Sequence, residues 1–142
     1  MLSYTPFRDL KIIRLIKSII RFVKRYRFEL SIKKLSKKIR CYNNLSTIPL
    51  TYSLIQYEKY ADELVNSIDV FTTDEEKIFS IIECMKNHND MVALNRRFEN
   101  KVYELTNCFF LGGNTDFITQ LNFELNSDAM YKLVSVIKTK IK

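Results

Sequence analysis

The stretch KIIRLIKSIIRFVKRY, residues 11–26, decides the fold. Ile12, Ile13, Leu15, Ile16, Ile19, Ile20, Phe22, Val23 and Tyr26 recur at three- and four-residue intervals, which gathers them on one side of a helix. Lys11, Arg14, Lys17, Arg21, Lys24 and Arg25 gather on the other, because each residue turns a helix by about 100°. Upstream, Thr5-Pro6 reads as an N-cap followed by proline at the first helical position, where the missing N–H costs nothing. Downstream the pattern continues more thinly through Ile32, Leu35 and Ile39, with Lys33, Lys34, Lys37 and Lys38 between them. The spacing predicts a helix of about thirty residues, with Ser31 as the place where it would break.

Charge singles out the same segment. Residues 1–40 hold thirteen Lys and Arg against Asp9 and Glu29, a local charge of +11 in a chain of net charge +7, so residues 41–142 carry −4. A polycation of that density seeks phosphate or an anionic surface. Arg14, Lys17, Arg21, Lys24, Arg25, Arg27, Lys33, Lys34, Lys37 and Lys38 are therefore the candidate contacts with nucleic acid or an anionic surface. Ile12, Ile16, Ile19, Ile20 and Val23 are the candidate docking face for protein or membrane. Three uses of such a helix are open. It can lie on an anionic membrane with its Ile/Phe face in lipid. It can dock on protein and offer its basic face to phosphates. Or its apolar face can pack on the body, leaving the charges solvated. No stretch approaches the ~18 uncharged residues needed to span a bilayer. Phe22, Tyr26 and Phe28 lie within the block but form no base-reading motif, so nucleic-acid binding would be to phosphate and steeply salt-dependent.

The rest of the chain reads as helices as well. Gly and Pro number two each among 142 residues, which disfavours a strand-and-turn architecture. The domain reading is a basic amphipathic helical arm over 1–40, a linker over 41–53 centred on CYNNLSTIPL, and a helical body over 54–142. Leu54, Tyr57, Ala61, Leu64 and Ile68 mark the first body helix, and Val70-Phe71-Thr72 a connector. Thr73-Asp74-Glu75-Glu76 spells a capping box with Thr73 at the N-cap, followed by Ile78, Phe79, Ile81, Ile82 and Met85. Asn87 to Asp90 reads as a turn, and Met91, Leu94, Phe98, Val102 and Leu105 as the next stripe. Residues 106–115, with Gly112 and Gly113, read as a loop. A helix over Asp116 to Asn126 uses Phe117, Ile118, Leu121 and Leu125. Ser127 reads as the cap of a last helix carrying Met130, Leu133, Val134, Ile137 and Ile141.

The order Thr73-Asp74-Glu75-Glu76 with Ile78 behind it, then Asp116-Phe117 through Leu121 to Glu124-Leu125, then the run into Leu133, resembles an annexin-type repeat over Val70 to Ile141. Similar single repeats occur in proteins of Bacteroidetes and their tailed phages, and this chain looks more like those than like a eukaryotic annexin. The resemblance implies an all-α fold, a compact bundle of four to five helices behind the long basic helix. In annexins a glycine-rich loop and a downstream acid bind calcium. Glu124 matches the acid, but Val70 and Thr72 stand where glycines are expected, and one carboxylate is too few for tight Ca²⁺ binding. No metal site is expected.

Catalytic chemistry finds no constellation here. His88 is the single histidine, in a polar turn, and reads as solvated. Cys41, Cys84 and Cys108 follow no metal-ligand spacing and read as reduced buried thiols. Gly112-Gly113-Asn114-Thr115 lacks the lysine and spacing of a P-loop. Asn44-Leu45-Ser46 spells a glycosylation sequon, but the opening MLSYTPFRDL lacks the apolar core of a signal peptide. No catalytic residue, cofactor or small-molecule substrate is expected. The reading that follows is a non-enzymatic structural or assembly protein of a tailed-phage virion, made in the host cytoplasm. It would pair with other virion proteins or with itself and touch DNA phosphates or an acidic neighbour through the arm. The alternative is a calcium-independent peripheral membrane protein that uses the same helix.

Overall fold

The structure is a computed structural model that describes residues 6–40, 49–68, 73–106 and 116–141. Thr5, most of the expected linker with Cys41 and the sequon, the Val70–Thr72 connector, and residues 107–115 with Cys108, Gly112 and Gly113 lie outside the described residues. The described residues form six helices and no strand: α1 (Pro6–Arg40), α2 (Leu54–Ser67), α3 (Glu75–Cys84), α4 (His88–Thr106), α5 (Phe117–Glu124) and α6 (Ser127–Lys140). The fold is all-α, a long N-terminal helix followed by a compact helical bundle. Pro6 is the first residue of α1, and the helix runs through Ser31 without a break.

Short polar side chains set the starts of the helices by accepting the free N–H groups of the first turn. Ser53 opens α2, accepting from the Gln56 amide. Asp74, rather than Thr73, caps α3, its carboxylate 3.1 Å from the Lys77 amide. That one-residue shift places Glu76 at the second helical position rather than the third. Both Glu75 and Glu76 still sit at the positive end of the helix dipole. Asn87 holds the start of α4, its side-chain oxygen 2.9 Å from the Asp90 amide, so residues 88–90 are helix rather than turn. Asp116 lies outside α5 as its cap. Asn126 caps α6 at 2.8 Å from the Ala129 amide, which makes Ser127 the first helical residue.

The bundle buries one apolar cluster. α2 packs on α3 and α4, α3 on α6, and α4 on α5, while α1 lies across α4 and α5. Tyr57 and Leu64 of α2, Ile78 and Ile82 of α3, Leu94 and Phe98 of α4, Ile118 and Leu121 of α5, and Leu133 and Ile137 of α6 are fully enclosed. Ile32, Leu35 and Ile39 of α1 belong to this same cluster. The C-terminal half of α1 is thus an integral layer of the bundle, and only its N-terminal half stands apart from it.

A second anchor lies at Asp90, buried in the first turn of α4. Its carboxylate accepts from the Tyr57 hydroxyl at 2.6 Å, the Thr51 hydroxyl at 2.6 Å, the Thr51 amide at 3.1 Å and the Lys86 amide at 2.8 Å. Burial alone would push the carboxyl up, but the hydrogen bonds from Thr51, Tyr57 and Lys86 outweigh it and hold the group below its ordinary range. The Tyr57 hydroxyl moves the other way, raised by burial and by the carboxylate beside it. One charge thereby ties the entry to α2, α2 itself and the α3–α4 corner to α4.

Candidate anionic-surface interface on α1

From Leu10 to Arg27 every α1 side chain is exposed. At about 1.5 Å per residue these eighteen positions span roughly 27 Å of helix. Ile12, Ile16, Ile19, Ile20 and Val23 keep between 39% and 54% of their surface, and Phe22 keeps 71%. The apolar stripe therefore does not pack on the body.

Positions seven apart, two turns of the helix, show why. Arg14 and Arg21 lie on the line that continues through Phe28 and Leu35, and Arg25 on the line through Ile32 and Ile39. Ile12 and Ile19 lie on the line that reaches Lys33, Ile16 and Val23 on the line that reaches Lys37, and Ile13 and Ile20 on the line through Arg27 and Lys34. The body holds Ile32, Leu35 and Ile39. It therefore faces the side that is basic farther out, and the apolar stripe looks away from it. The sequence pattern does not simply thin out after Tyr26: it changes sides near Phe28. Apolar and basic faces exchange places, and the outward face of the whole helix reads isoleucine first and lysine second.

The candidate cations divide accordingly. Arg14, Lys17, Arg21, Lys24 and Arg25 form the body-side face of the projection. Lys33, Lys34, Lys37 and Lys38 follow the apolar stripe outward, with Arg27 at the junction. All ten are exposed, and none forms an ion pair with another described residue. Unpaired cations keep their full field for an external anion.

What holds the helix in this rotation is a polar clamp at its C-terminal half. The Ser36 hydroxyl donates to the Asp116 carboxylate, which also accepts from the Thr119 amide at 2.8 Å and the Thr119 hydroxyl at 3.0 Å. Arg40 Nε lies 3.3 Å from Asp116 and 3.3 Å from Glu99. Asn95 Oδ1 accepts from the Phe117 amide at 3.0 Å, and its Nδ2 donates to Glu99 at 3.3 Å, joining the clamp to α4. His88 is part of the same seam. It is partly buried, and its Nε2 donates to the Lys38 carbonyl at 2.9 Å, so it is a seam residue rather than a solvated turn histidine. Sequence periodicity carries no signal for this use of Ser36, Asp116 or His88, because the partners lie 50 to 83 residues apart.

Other expected positions are more ordinary. Glu124 accepts from its own helix, from Gln120 at 3.4 Å. Cys84 is a half-buried free thiol. Among the described residues no three His, Cys, Asp or Glu side chains are placed to hold a metal ion, and no helix is long and apolar enough to cross a membrane. No family model, no curated protein and no solved structure matches the chain.

Proposed function

We infer that this chain is a non-enzymatic docking protein whose α1 seats on an anionic bilayer surface without calcium, while the helical body, similar to an annexin-type repeat, faces protein partners. The observation that carries this reading is the exchange of faces along α1. An interfacial helix needs an apolar side to enter the acyl boundary and a basic side to remain among headgroups. Residues 10–27 have both. The body attaches to the side opposite the stripe, so a bilayer can reach Ile12, Ile16, Ile19 and Val23 without meeting it. Lys33, Lys34, Lys37 and Lys38 then lie along the same outward face, each adding about 1 kcal/mol of attraction to an anionic leaflet.

The test is flotation of the full-length protein with vesicles of phosphatidylcholine alone and of phosphatidylcholine mixed with phosphatidylglycerol, together with light scattering on the protein by itself. The expected result is a monomer that floats with the mixed vesicles and keeps part of its binding in high salt, because the apolar part of the attachment is not screened. A defined oligomer that ignores both vesicles would overturn it. That outcome would favour the assembly reading, in which a neighbouring subunit covers the stripe, as a virion component would require.

A further inference from the structure

A second surface of α1 carries a separate chemistry. Where the projection leaves the bundle, α1 and the α5–α6 corner enclose an open cleft of about 960 Å³. Its lining includes Arg21, Lys24 and Arg25 of α1, Phe123 of α5 and Tyr131 of α6. The only carboxylate among its lining residues is Glu29. None of these three cations is ion-paired with a described residue. Phe123 keeps 77% of its surface although it sits on the short helix α5, most of whose apolar residues are fully buried. Tyr131 keeps 46%, while Phe28 lies against it at a centroid distance of 4.1 Å and forms one edge of the cleft.

Clustered cations that pair with no described residue, sharing an open groove with exposed aromatic rings, are the two elements that hold a single strand of nucleic acid. The cations track the backbone phosphates and the rings stack bases of any identity. We propose that this cleft binds single-stranded nucleic acid, phosphates on Arg21, Lys24 and Arg25 and a base on Phe123. An acidic peptide would satisfy the cations but has no general use for a bare phenyl face, and a lipid headgroup brings phosphate without a base. The cleft opens beside the body rather than on the outward stripe. The phosphate contacts assigned here, Arg21, Lys24 and Arg25, and the stacking ring Phe123 take no part in the bilayer reading, so either can fail alone.

The experiment is fluorescence anisotropy of a labelled oligothymidylate with the full-length, lipid-free protein across a salt series. Unlabelled oligothymidylate, polyglutamate of equal charge and glycerol phosphate serve as competitors. Phe123→Ala should weaken binding about tenfold, the loss of one stacked base, with an unchanged melting temperature because the ring is exposed. Charge reversal at Arg21, Lys24 and Arg25 should lower the slope of log affinity against log salt by about 0.7 for each phosphate that the protein no longer neutralises. Polyglutamate or glycerol phosphate competing as well as the oligonucleotide, or Phe123→Ala binding as tightly as the parent, would overturn the proposal and leave a simple polycation. Variants at Ile16 and Ile19, which disturb only the outward stripe, should leave the oligonucleotide affinity unchanged.

Discussion

Phe28 of α1 lies against Tyr131 of α6 with ring centroids 4.1 Å apart and planes inclined by 37°, and beyond this pair toward the N-terminus every α1 side chain from Arg27 to Leu10 is exposed. The pair is the outermost aromatic brace between the long helix and the bundle. Phe28→Ala removes that brace and part of the apolar packing around it, at a cost of about 2 kcal/mol. The melting temperature should fall by roughly 5–8 °C, and helicity measured by far-ultraviolet circular dichroism should remain, since the remaining core of α1 is intact.

Asp116 is the centre of the clamp on Ser36, Thr119 and Arg40. Asp116→Ala leaves those donors without their acceptor and removes the cap of α5, an expected loss of about 3 kcal/mol. Hydrogen exchange should speed up across residues 32–40 and 117–121 before it does so in α2 or α3. Equal acceleration everywhere would show that the clamp is not a local fastening.

Asp90 ties acid sensitivity to the other end of the bundle. Its folded carboxyl is held below the ordinary aspartate value of about 3.9. The stability it contributes is therefore fully present above pH ~4 and is lost as pH falls through the lower folded value. Asp90→Asn should cost about 3 kcal/mol at neutral pH, because the Tyr57 and Thr51 hydroxyls lose a charged acceptor. Denaturant melts of the two proteins between pH 7 and pH 3 should converge as the parent loses that advantage. A constant gap would exclude Asp90 as the source.

On the outward face of α1 the two halves should respond differently. Ile16→Ser with Ile19→Ser should leave the melting temperature within about 2 °C, as both residues are exposed, and should weaken flotation with anionic vesicles at every salt concentration. Lys34→Gln or Lys37→Gln should each weaken it about fivefold at low salt and have little effect at high salt.

Much of the fold is legible in the sequence. The apolar spacings in Tyr57–Leu64, Ile78–Ile82 and Leu133–Ile137 place the body helices, and the paucity of Gly and Pro fixes the class. The caps expected at Thr73 and Ser127 each differ by one residue from those that form, because a hydroxyl beside a carboxylate or amide offers two acceptors. Only backbone geometry selects between Thr73 and Asp74 or between Asn126 and Ser127. The exchange of faces in α1 is present in the sequence, yet a run of apolar positions hides it: Ile19, Val23 and Ile32, Leu35 each look amphipathic, and only their relative phase shows that they point in different directions. The roles of Asp90, Asp116 and His88 have no sequence signature at all. A buried acceptor is defined by donors from distant helices, and no local pattern records them.

The uninterrupted course of α1 through Ser31 gives the protein an angular memory. A rigid rod clamped at one end transmits rotation, so the heading of the isoleucine stripe is set by the number of residues that separate it from Ile32. One residue inserted after Arg27 would swing the stripe by about 100° around the rod, turning it toward the bundle's flank without altering a single side chain. The length of that short interval, rather than its composition, sets the heading of the stripe relative to the body.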